Sequence, residues 1–229
     1  MTMKAYLELS EIELMEQAAS CPRDRLLIRL LSRLGCRISE ALALKVEDID
    51  FEQEAVTVPH LKRSIKLSCP TCKSRLGNRH QFCPGCGVKV CERIRSQRER
   101  RRIRVLPIDE ATLAMFKSYI NKLPSDDNKA SLFRLNRHRA WQIVRDCARR
   151  AGLPSLVNPE TGRARGISPH RLRDAFSVHA MKVDDSGDGL RLLQEHLGHV
   201  SFNTTAKYRK IAGEEHREWY NRLWHNRPY

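Results

Sequence analysis

Residues Ser168–Lys210 read SPHRLRDAFSVHAMKVDDSGDGLRLLQEHLGHVSFNTTAKYRK, and this stretch decides the fold. Ser168 and Pro169 are typical of a helix start, because serine caps helix N-termini and proline is tolerated in the first turn. His170 and Arg173 are three residues apart, which places both side chains on one face of that helix. The stretch is therefore predicted to open with a helix that carries a histidine and an arginine on the same side.

Two further helices are predicted in the same stretch. Residues 185–189 (DSGDG) break the first helix, and leucines recur at helical spacing after them. Gly198 is typical of a helix C-terminus, and His199 follows it directly. Asn203 can cap a short last helix that carries Tyr208. Two histidines, an arginine and a tyrosine at helix faces and ends are typical of a phosphate-transfer site rather than of a core.

The composition indicates a polyanionic partner. The chain has 229 residues, with 42 Lys and Arg against 27 Asp and Glu, which leaves a formal charge of +15. This length allows one or two domains with a full core. The positive charge is concentrated in RIRSQRERRRIR at positions 93–104, where seven of twelve residues are arginine. Nucleic acid is the polyanion that such a clustered excess favours.

A membrane surface is the alternative polyanion, and the sequence disfavours it. It contains no apolar stretch long enough to span a bilayer and no basic amphipathic helix with aromatic anchors. The polar start MTMKAYLELSEIE lacks the features of a signal peptide, so we expect a cytoplasmic location.

The rest of the chain predicts mainly helices with one small sheet. Ser10 and Glu13 form a capping-box pattern for a first helix that runs to about Ala19. Further helices are predicted at positions 22–34, 38–44, 110–123, 137–151 and 214–223. Alternating residues at 55–62 and 102–107 predict two strands that pair as a hairpin. The fold class expected is therefore mainly α with a small antiparallel sheet.

A cysteine module lies between these two predicted strands. Four of the eight cysteines form the pattern CPTC-x10-CPGC, namely Cys69, Cys72, Cys83 and Cys86. Each CPxC turn supplies two thiolates, and four thiolates suit a tetrahedral Zn²⁺ with no open position for water, which makes the zinc structural. Reduced structural thiols or a disulfide pair are the alternatives, and Cys91 and His80 are weaker rival ligands.

The arginine-rich segment directly follows the module. Its arginines are candidate contacts to DNA phosphates, because guanidinium groups pair well with phosphate oxygens. The arginines assigned to this role are Arg93, Arg95, Arg98, Arg100, Arg101 and Arg102. A solvated charge run without a partner is the alternative.

The order of the motifs resembles that of the tyrosine recombinase (phage integrase) family. The motifs are Arg37-x-x-Glu40, a strand-end lysine at Lys62, His170-x-x-Arg173, Leu197-Gly-His199 and Thr204-Thr-x-x-Tyr208. Each motif alone occurs by chance, but their order within one domain is specific. The resemblance runs from about Leu7 to Lys210, apart from the cysteine module.

The resemblance implies a site-specific recombinase that needs neither ATP nor a metal in its chemistry. Tyr208 would attack a scissile phosphate and form a 3′-phosphotyrosine intermediate. Arg37 and Arg173 would hold the nonbridging oxygens with charge-assisted hydrogen bonds. Tyr220 and Tyr229 compete for the role of nucleophile only if the TTxxY match is accidental.

The remaining site residues support this chemistry. His170 would accept the tyrosine proton or bind the phosphate, and His199 would contact a phosphate oxygen. Glu40 would hold the first arginine in place, and His179 and His196 are assigned to the surface or core.

A lysine on the predicted hairpin would protonate the leaving 5′ oxygen. Lys62 alternates on one strand face with Val56 and Val58, which favours it. Lys66 is the runner-up, because the insertion removes the turn that would fix the alignment.

Two departures from the family stand out. Asp174 follows the second arginine, where the family often has a histidine or another neutral or basic residue. The N-terminal core-binding domain of most members is expected to be absent, because the catalytic pattern starts within the first ten residues. We expect a catalytic domain at 1–66 and 101–210, a zinc-ribbon-like insertion at 67–100 and a tail helix at 211–229.

The resemblance further implies a homotetramer on double-stranded DNA, in which the tail docks on a neighbouring subunit. Three alternatives stay open: a type IB topoisomerase-like enzyme, a noncatalytic zinc-containing DNA-binding protein, and an accessory fragment that needs a full-length partner. Covalent capture of DNA separates the enzymes from the binding protein. Recombination between paired sites separates the recombinase from the topoisomerase.

Overall fold

Helices dominate the part of the chain that the computed structural model describes, which is residues 4–59, 67–77, 80–90, 103–123, 131–158, 161–199 and 205. The helices are α1 (Leu9–Gln17), α2 (Pro22–Arg33), α3 (Ile38–Ala43), α4 (Glu110–Ile120), α5 (Arg137–Arg150), α6 (Pro169–Val183) and α7 (Gly187–Leu197). The strands are β1 (Ile49–Asp50), β2 (Ala55–Pro59), β3 (Leu67–Ser68), β4 (Arg75–Leu76), β5 (Ile103–Pro107), β6 (Leu156–Val157) and β7 (Ala164–Arg165). In these ranges no helix is long and apolar enough to cross a membrane.

Helix α2 is the centre of the helical packing. It begins at Pro22, as the sequence predicts, and it contacts α1, α3, α4, α5 and α6. Its leucine stripe is fully buried and consists of Leu26, Leu27, Leu30 and Leu31. Burial of one leucine side chain contributes about 1.5–3 kcal/mol, so this stripe is a major source of stability. The chain leaves α2 through Gly35, which has a φ of +54°.

The predicted hairpin strands pair in a three-stranded antiparallel sheet of order β1-β2-β5. Its register sets Ala55 opposite Pro107 and Pro59 opposite Ile103. In β2 the side chains of Val56 and Val58 are fully buried. The cysteine module occupies the chain between β2 and β5, and within it β3 pairs with β4. The fold class expected from the sequence, mainly α with a small antiparallel sheet, is confirmed.

Helices α6 and α7 are joined by a break that is shorter than predicted. Their shared apolar cluster contains Val178, Met181, Leu190, Leu193 and Leu197. Helix α7 already begins at Gly187, because the Ser186 hydroxyl accepts a hydrogen bond from the backbone N–H of Gly189 at 3.0 Å. The DSGDG segment therefore supplies both the break and the first turn of α7.

Helix α1 begins one residue before the predicted cap. Glu8 precedes its first turn, and the backbone N–H of Glu8 donates to the carboxylate of Glu11 at 2.9 Å. The prediction that Ser10 caps this helix is wrong, because α1 already begins at Leu9 and Glu8 is its N-cap residue. The predicted tail helix at 214–223 lies outside the described residues.

Candidate active site and cysteine cluster

Arg173 is the most deeply buried cation of the candidate site, and its side chain is 2% exposed. It lies in the second turn of α6. Its guanidinium donates to the carbonyl of Gly35 and, at 2.7 Å, to the carbonyl of Leu197. One nitrogen of the same guanidinium, Nη2, lies 3.1 Å from Nε2 of His199. Arg173 thus joins the end of α2 to the end of α7.

These contacts fix the tautomer of His199. A guanidinium carries only donors, so Nε2 of His199 accepts and Nδ1 carries the hydrogen. Nδ1 then donates to Oγ1 of Thr205 at 2.8 Å, and Thr205 is fully buried. Thr205 belongs to the TTxxY motif and precedes Tyr208 by three residues. Thr205, the second threonine of the motif, is therefore anchored to His199.

Gly198 directs the chain from α7 into His199. It adopts a φ of +63°, the left-handed conformation that glycine favours at helix ends. The backbone N–H of His199 donates to the carbonyl of Gln194 at 3.0 Å, and the Gln194 amide donates to the carbonyl of His199 at 3.1 Å. Both ends of the His199 backbone are held by one residue of α7.

Arg37 and Glu40 form a second centre at the start of α3. The Arg37 guanidinium donates to Oε1 of Glu40 at 2.8 Å, and the Arg37 backbone N–H donates to Oε2 at 2.9 Å. The Arg37 side chain is 27% exposed, whereas the Glu40 side chain is 1% exposed. Arg37 therefore reaches the surface above a buried carboxylate.

Glu40 is surrounded by guanidinium groups. Arg104 lies 2.8 Å from Oε2, and Arg173 lies 4.0 Å from the same oxygen. Burial alone would raise the pKa of the Glu40 carboxyl, but Arg104 and the hydrogen bonds from Arg37 outweigh it and lower the pKa below its ordinary value. The carboxyl is therefore ionised at neutral pH, and it links the two predicted arginines of the site.

Arg104 is a site residue that sequence reasoning missed. It lies on β5 opposite Val58, on the same face as the buried Leu106, whereas the apolar Ile103 and Val105 are exposed. Besides Glu40, its guanidinium donates to the carbonyl of His196. The signal in the sequence was an arginine at an inward-facing position of an alternating strand.

Among the predicted catalytic residues that the structure describes, His170 is the most accessible, with a side chain that is 70% exposed. Its Nε2 lies 4.0 Å from a carboxylate oxygen of Asp174, four residues further along α6. The other oxygen of Asp174 accepts a hydrogen bond from Arg171 at 3.3 Å. The unusual acid after Arg173 thus lies beside the exposed histidine.

His196 and Cys36 form part of the wall behind the site. Nε2 of His196 donates to the carbonyl of Leu34 at 3.1 Å, and the ring stacks on Phe176 at 4.8 Å. Burial, aided by nearby arginines, lowers the pKa of His196, which keeps the ring neutral. Burial and the Glu40 charge raise the pKa of the Cys36 thiol to about 12, so this thiol is unreactive.

An open cavity of about 420 Å³ lies beside His199. The residues that line it are Ile103, Arg104, Arg191, Gln194, Glu195, Gly198 and His199. Both arginines of the lining are paired with carboxylates, Arg191 with Glu195 at 2.9 Å and Arg104 with Glu40 at 2.8 Å.

The four cysteines of the CPTC and CPGC knuckles lie together. Their Sγ atoms are all within 4.8 Å of one another, with 3.5 Å between Cys69 and Cys86 and 3.4 Å between Cys72 and Cys83. Thiolates at about 2.3 Å from a tetrahedral zinc lie about 3.8 Å apart, so the arrangement fits such an ion. The cluster can therefore hold a metal ion.

The turns of the module leave little room around this cluster. A Cβ on Gly85 would lie 2.3 Å from the Ser74 hydroxyl and 3.3 Å from Sγ of Cys72, so a larger residue there would displace the Ser74 side chain. The ring of His80 accepts a hydrogen bond from the Gly77 backbone N–H at 3.2 Å, and His80 does not belong to the cluster. The other rival ligand, Cys91, lies outside the described residues.

The structure brings Arg37, Glu40, Arg173 and His199 together and leaves His170 exposed at the start of α6. Several predicted site residues lie outside the described ranges. These are Lys62, its alternative Lys66, the nucleophile candidates Tyr208, Tyr220 and Tyr229, and the six arginines Arg93, Arg95, Arg98, Arg100, Arg101 and Arg102.

Similarity to known proteins agrees with this geometry. The tyrosine recombinase XerA of Pyrococcus furiosus is 26% identical over 203 residues, which cover 86% of this chain and 53% of that protein. The tyrosine recombinase XerD of Mycobacterium tuberculosis is 30% identical over 196 residues, which cover 86% of this chain and 50% of that protein. The chain spans about half the length of the curated relatives it matches.

Solved structures share the fold. The crystal structure of XerA recombinase has a TM-score of 0.63 at 20% identity and is matched over 100% of this chain and 68% of that one. The XerH site-specific recombinase, bound to a palindromic difH substrate in a post-cleavage complex, has a TM-score of 0.59 at 20% identity, over 98% of this chain and 54% of that one. The sequence profile of the phage integrase family matches residues 5–78 and 87–215. With most of its length covered by that profile, the chain belongs to the phage integrase family.

Proposed function

We propose that this protein is a site-specific DNA recombinase that cleaves and rejoins strands through a 3′-phosphotyrosine intermediate. The observation that carries the proposal is the convergence of Arg37, Arg173 and His199 around the buried Glu40. These residues come from three separate segments of the chain, and their charges suit a bound phosphate diester. The post-cleavage complex of the similar XerH recombinase supports the same chemistry.

The nucleophile of the proposed reaction is Tyr208. Its phenolic oxygen attacks the scissile phosphorus, a tyrosine–phosphorus bond forms, and the bond from phosphorus to the 5′ oxygen breaks. A free 5′ hydroxyl leaves and later attacks the phosphotyrosine in the reverse sense on a partner strand. The number of phosphodiester-type bonds is conserved, so the cycle needs no ATP. The anchoring of Thr205 on His199 supports a position of this motif at the site.

The two arginines stabilise the charge that develops on the nonbridging oxygens. Arg37 is the more accessible of the two, and Arg173 lies beneath it with its guanidinium oriented by two backbone carbonyls. A guanidinium that is held in advance costs no reorganisation when the transition state forms. In other enzymes, removal of one such preorganised donor lowers kcat by about 10²–10³-fold.

The two histidines take different roles. The exposed His170 accepts the proton of Tyr208 or binds the same phosphate, and its Nε2 lies 4.0 Å from the Asp174 carboxylate. The Nε2 lone pair of His199 is directed at Arg173 and its Nδ1–H at Thr205, so in this tautomer His199 orients the guanidinium. A direct contact from His199 to a phosphate oxygen requires the protonated ring, whose Nε2–H can donate.

The general acid for the leaving 5′ oxygen is a lysine between β2 and the cysteine module. Lys62 is an even number of residues from Val56 and Val58, whose side chains lie on the buried face of β2. If the strand alternation continued, Lys62 would lie on the same face. Lys66 is the alternative. Separate alanine substitutions distinguish them, because only the loss of the general acid slows cleavage of an unmodified DNA substrate.

The cysteine cluster binds a structural zinc in this proposal. Four thiolates saturate the ion, so it orders the insertion and takes no part in the phosphate chemistry. The insertion spans residues 67–100 and divides a catalytic domain formed by residues 1–66 and 101–210. The arginines at positions 93–102 grip the DNA backbone, which would make affinity salt-dependent.

The active assembly we propose is a tetramer on double-stranded DNA. The tail at residues 211–229 would dock on a neighbouring subunit through its aromatic side, with Trp219 and Trp224. A noncatalytic DNA-binding protein, or an accessory protein that needs a full-length recombinase, is the alternative function.

Recombination between paired sites tests the proposal. The wild-type chain should convert a supercoiled plasmid with two candidate sites into two smaller circles. Arg173→Ala should leave the plasmid unrecombined. Relaxation of a plasmid without any site, and no exchange between sites, would instead indicate a type IB topoisomerase-like activity. Tight binding without relaxation or exchange would favour the noncatalytic alternative, unless addition of a full-length recombinase restores exchange.

A further inference from the structure

Arg104 connects the strand after the cysteine module to the centre of the candidate site. Its Nη2 lies 2.8 Å from Oε2 of Glu40, and its Nη1 donates to the carbonyl of His196 in the last turn of α7. The side chain is 9% exposed. One guanidinium therefore binds both the site carboxylate and the helix that ends next to His199.

Gly198 makes room for this side chain. A Cβ at Gly198 would lie 3.1 Å from both Cδ and Nε of Arg104, which is tighter than ordinary van der Waals contact. Glycine at this position therefore serves the left-handed helix end and the passage of Arg104 beneath it. The position of His199, one residue later, depends on both.

The charges around Glu40 give Arg104 a specific task. Three guanidiniums lie within 4.0 Å of one carboxylate, which leaves a net charge of +2 (3 − 1) for an anionic substrate. Without Arg104 the net charge falls to +1 (2 − 1), and Oε2 loses its guanidinium partner at 2.8 Å while it keeps the hydrogen bond from the Arg37 backbone N–H at 2.9 Å. The next cation to that buried oxygen is Arg173 at 4.0 Å, which the carboxylate would attract more strongly.

We propose that Arg104 is a positioning residue for DNA strand cleavage. It binds the Glu40 carboxylate so that Arg37 and Arg173 remain available to the scissile phosphate, and it holds the end of α7 that carries His199. This inference rests on the proposed recombinase function. Arg104 acts through these neighbours and does not itself contact the reacting atoms.

The test is single-turnover cleavage of a nicked DNA substrate at saturating protein, with Arg104→Met and Arg104→Lys beside the wild type. Arg104→Met should slow cleavage about tenfold or more while the DNA dissociation constant changes less than about threefold. Arg104→Lys should retain only part of the rate. The lysine keeps the positive charge, but one ammonium cannot bind Glu40 and His196 in the same geometry.

A double substitution separates positioning from folding. Glu40→Gln added to Arg104→Met should restore part of the lost rate, because a neutral amide does not draw Arg173 from the phosphate. The matched control is Arg29→Met, which removes a guanidinium 2.9 Å from Glu16 and 3.2 Å from Asp109 in the junction of α1, α2 and α4. Arg29→Met should lower the melting temperature and leave the cleavage rate of the folded protein unchanged.

Two results would overturn the inference without touching the proposed function. One is cleavage by Arg104→Met at the wild-type rate. The other is a loss that Glu40→Gln fails to relieve and that follows the unfolded fraction, as in Arg29→Met. A wild-type chain that binds the nicked DNA but never cleaves it would overturn the proposed function, and this inference with it.

Discussion

The candidate site is organised around one buried carboxylate, that of Glu40. Glu40 is buried, and a buried charge is tolerated only when it is paired and hydrogen-bonded. Its partners come from its own helix start, from β5 and, at a longer distance, from α6. Removal of one partner from such a buried group commonly costs about 3–5 kcal/mol, so the cluster constrains the backbone as well as the arginines.

Gly35 is a second residue on which the site depends, and it makes a testable prediction. Gly35→Ala should lower the free energy of unfolding and slow DNA cleavage. Its φ is +54°, and an added Cβ would lie 2.6 Å from Phe176 and 3.1 Å from Leu197. Its carbonyl also binds Arg173. Denaturant unfolding and single-turnover cleavage measure the two effects.

Gly152→Ala is the matched control for that prediction. Gly152 has a similar φ of +68°, but nothing lies within 4 Å of its added Cβ. Gly152→Ala should therefore lower the free energy of unfolding only by the cost of a left-handed alanine, about 1–2 kcal/mol, and it should keep the wild-type cleavage rate. Equal losses of stability and rate in the two variants would contradict the assigned role of Gly35.

At this scale the sequence predicted which residue types belong together but not every member of the set. Arg37, Glu40, Arg173 and His199 follow from motif order, and the structure brings them together. Arg104 was counted only in a charge run, because nothing in one strand reveals that its inward face meets Glu40, 64 residues earlier. Contacts of this kind depend on the packing of distant elements.

At the scale of elements, local sequence patterns predicted the start of one helix correctly and the start of another wrongly. Ser168 and Pro169 predicted the start of α6 correctly, because proline is tolerated at only a few helix positions. The predicted start of α1 was wrong, since Glu8 with Glu11 and Ser10 with Glu13 both match a capping pattern. The sequence alone does not decide between such overlapping patterns, and in the structure the Glu8–Glu11 hydrogen bond forms.

The cysteine cluster is the element whose chemistry is most readily tested. The purified chain should contain about one zinc ion per molecule, and Cys72→Ser should lose most of it, because a missing thiolate opens the tetrahedral site. Cys21→Ser is the control, since Cys21 lies outside the cluster. Metal analysis by mass spectrometry and thermal unfolding report both effects.

The fate of the catalytic domain in that experiment is informative. A structural zinc predicts that Cys72→Ser loses metal and local order in the insertion while the leucine core around α2 still unfolds cooperatively. Wild-type protein that contains no zinc after purification in zinc-supplemented medium, and binds none on titration, would rule out the metal assignment.

At the scale of the whole molecule, the site is assembled from distant parts of one chain. Its described residues run from Gly35 to Thr205 and come from the ends of α2 and α7, the starts of α3 and α6, and β5. The cysteine module lies between β2 and β5, which pair in continuous register from Ala55 opposite Pro107 to Pro59 opposite Ile103. A family resemblance can predict such an assembly in outline, whereas hydrophobic periodicity alone cannot.

Covalent trapping tests the central claim most directly. The protein is mixed with nicked or supercoiled DNA that carries candidate sites, quenched in detergent and analysed for protein–DNA adducts. Tyr208→Phe is compared with the wild type, and Tyr220→Phe and Tyr229→Phe serve as matched controls. We predict an adduct in the wild type and in both controls and none in Tyr208→Phe, because only Tyr208 supplies the attacking oxygen. An adduct that persists in Tyr208→Phe, or no adduct with any DNA despite tight binding, would contradict the account.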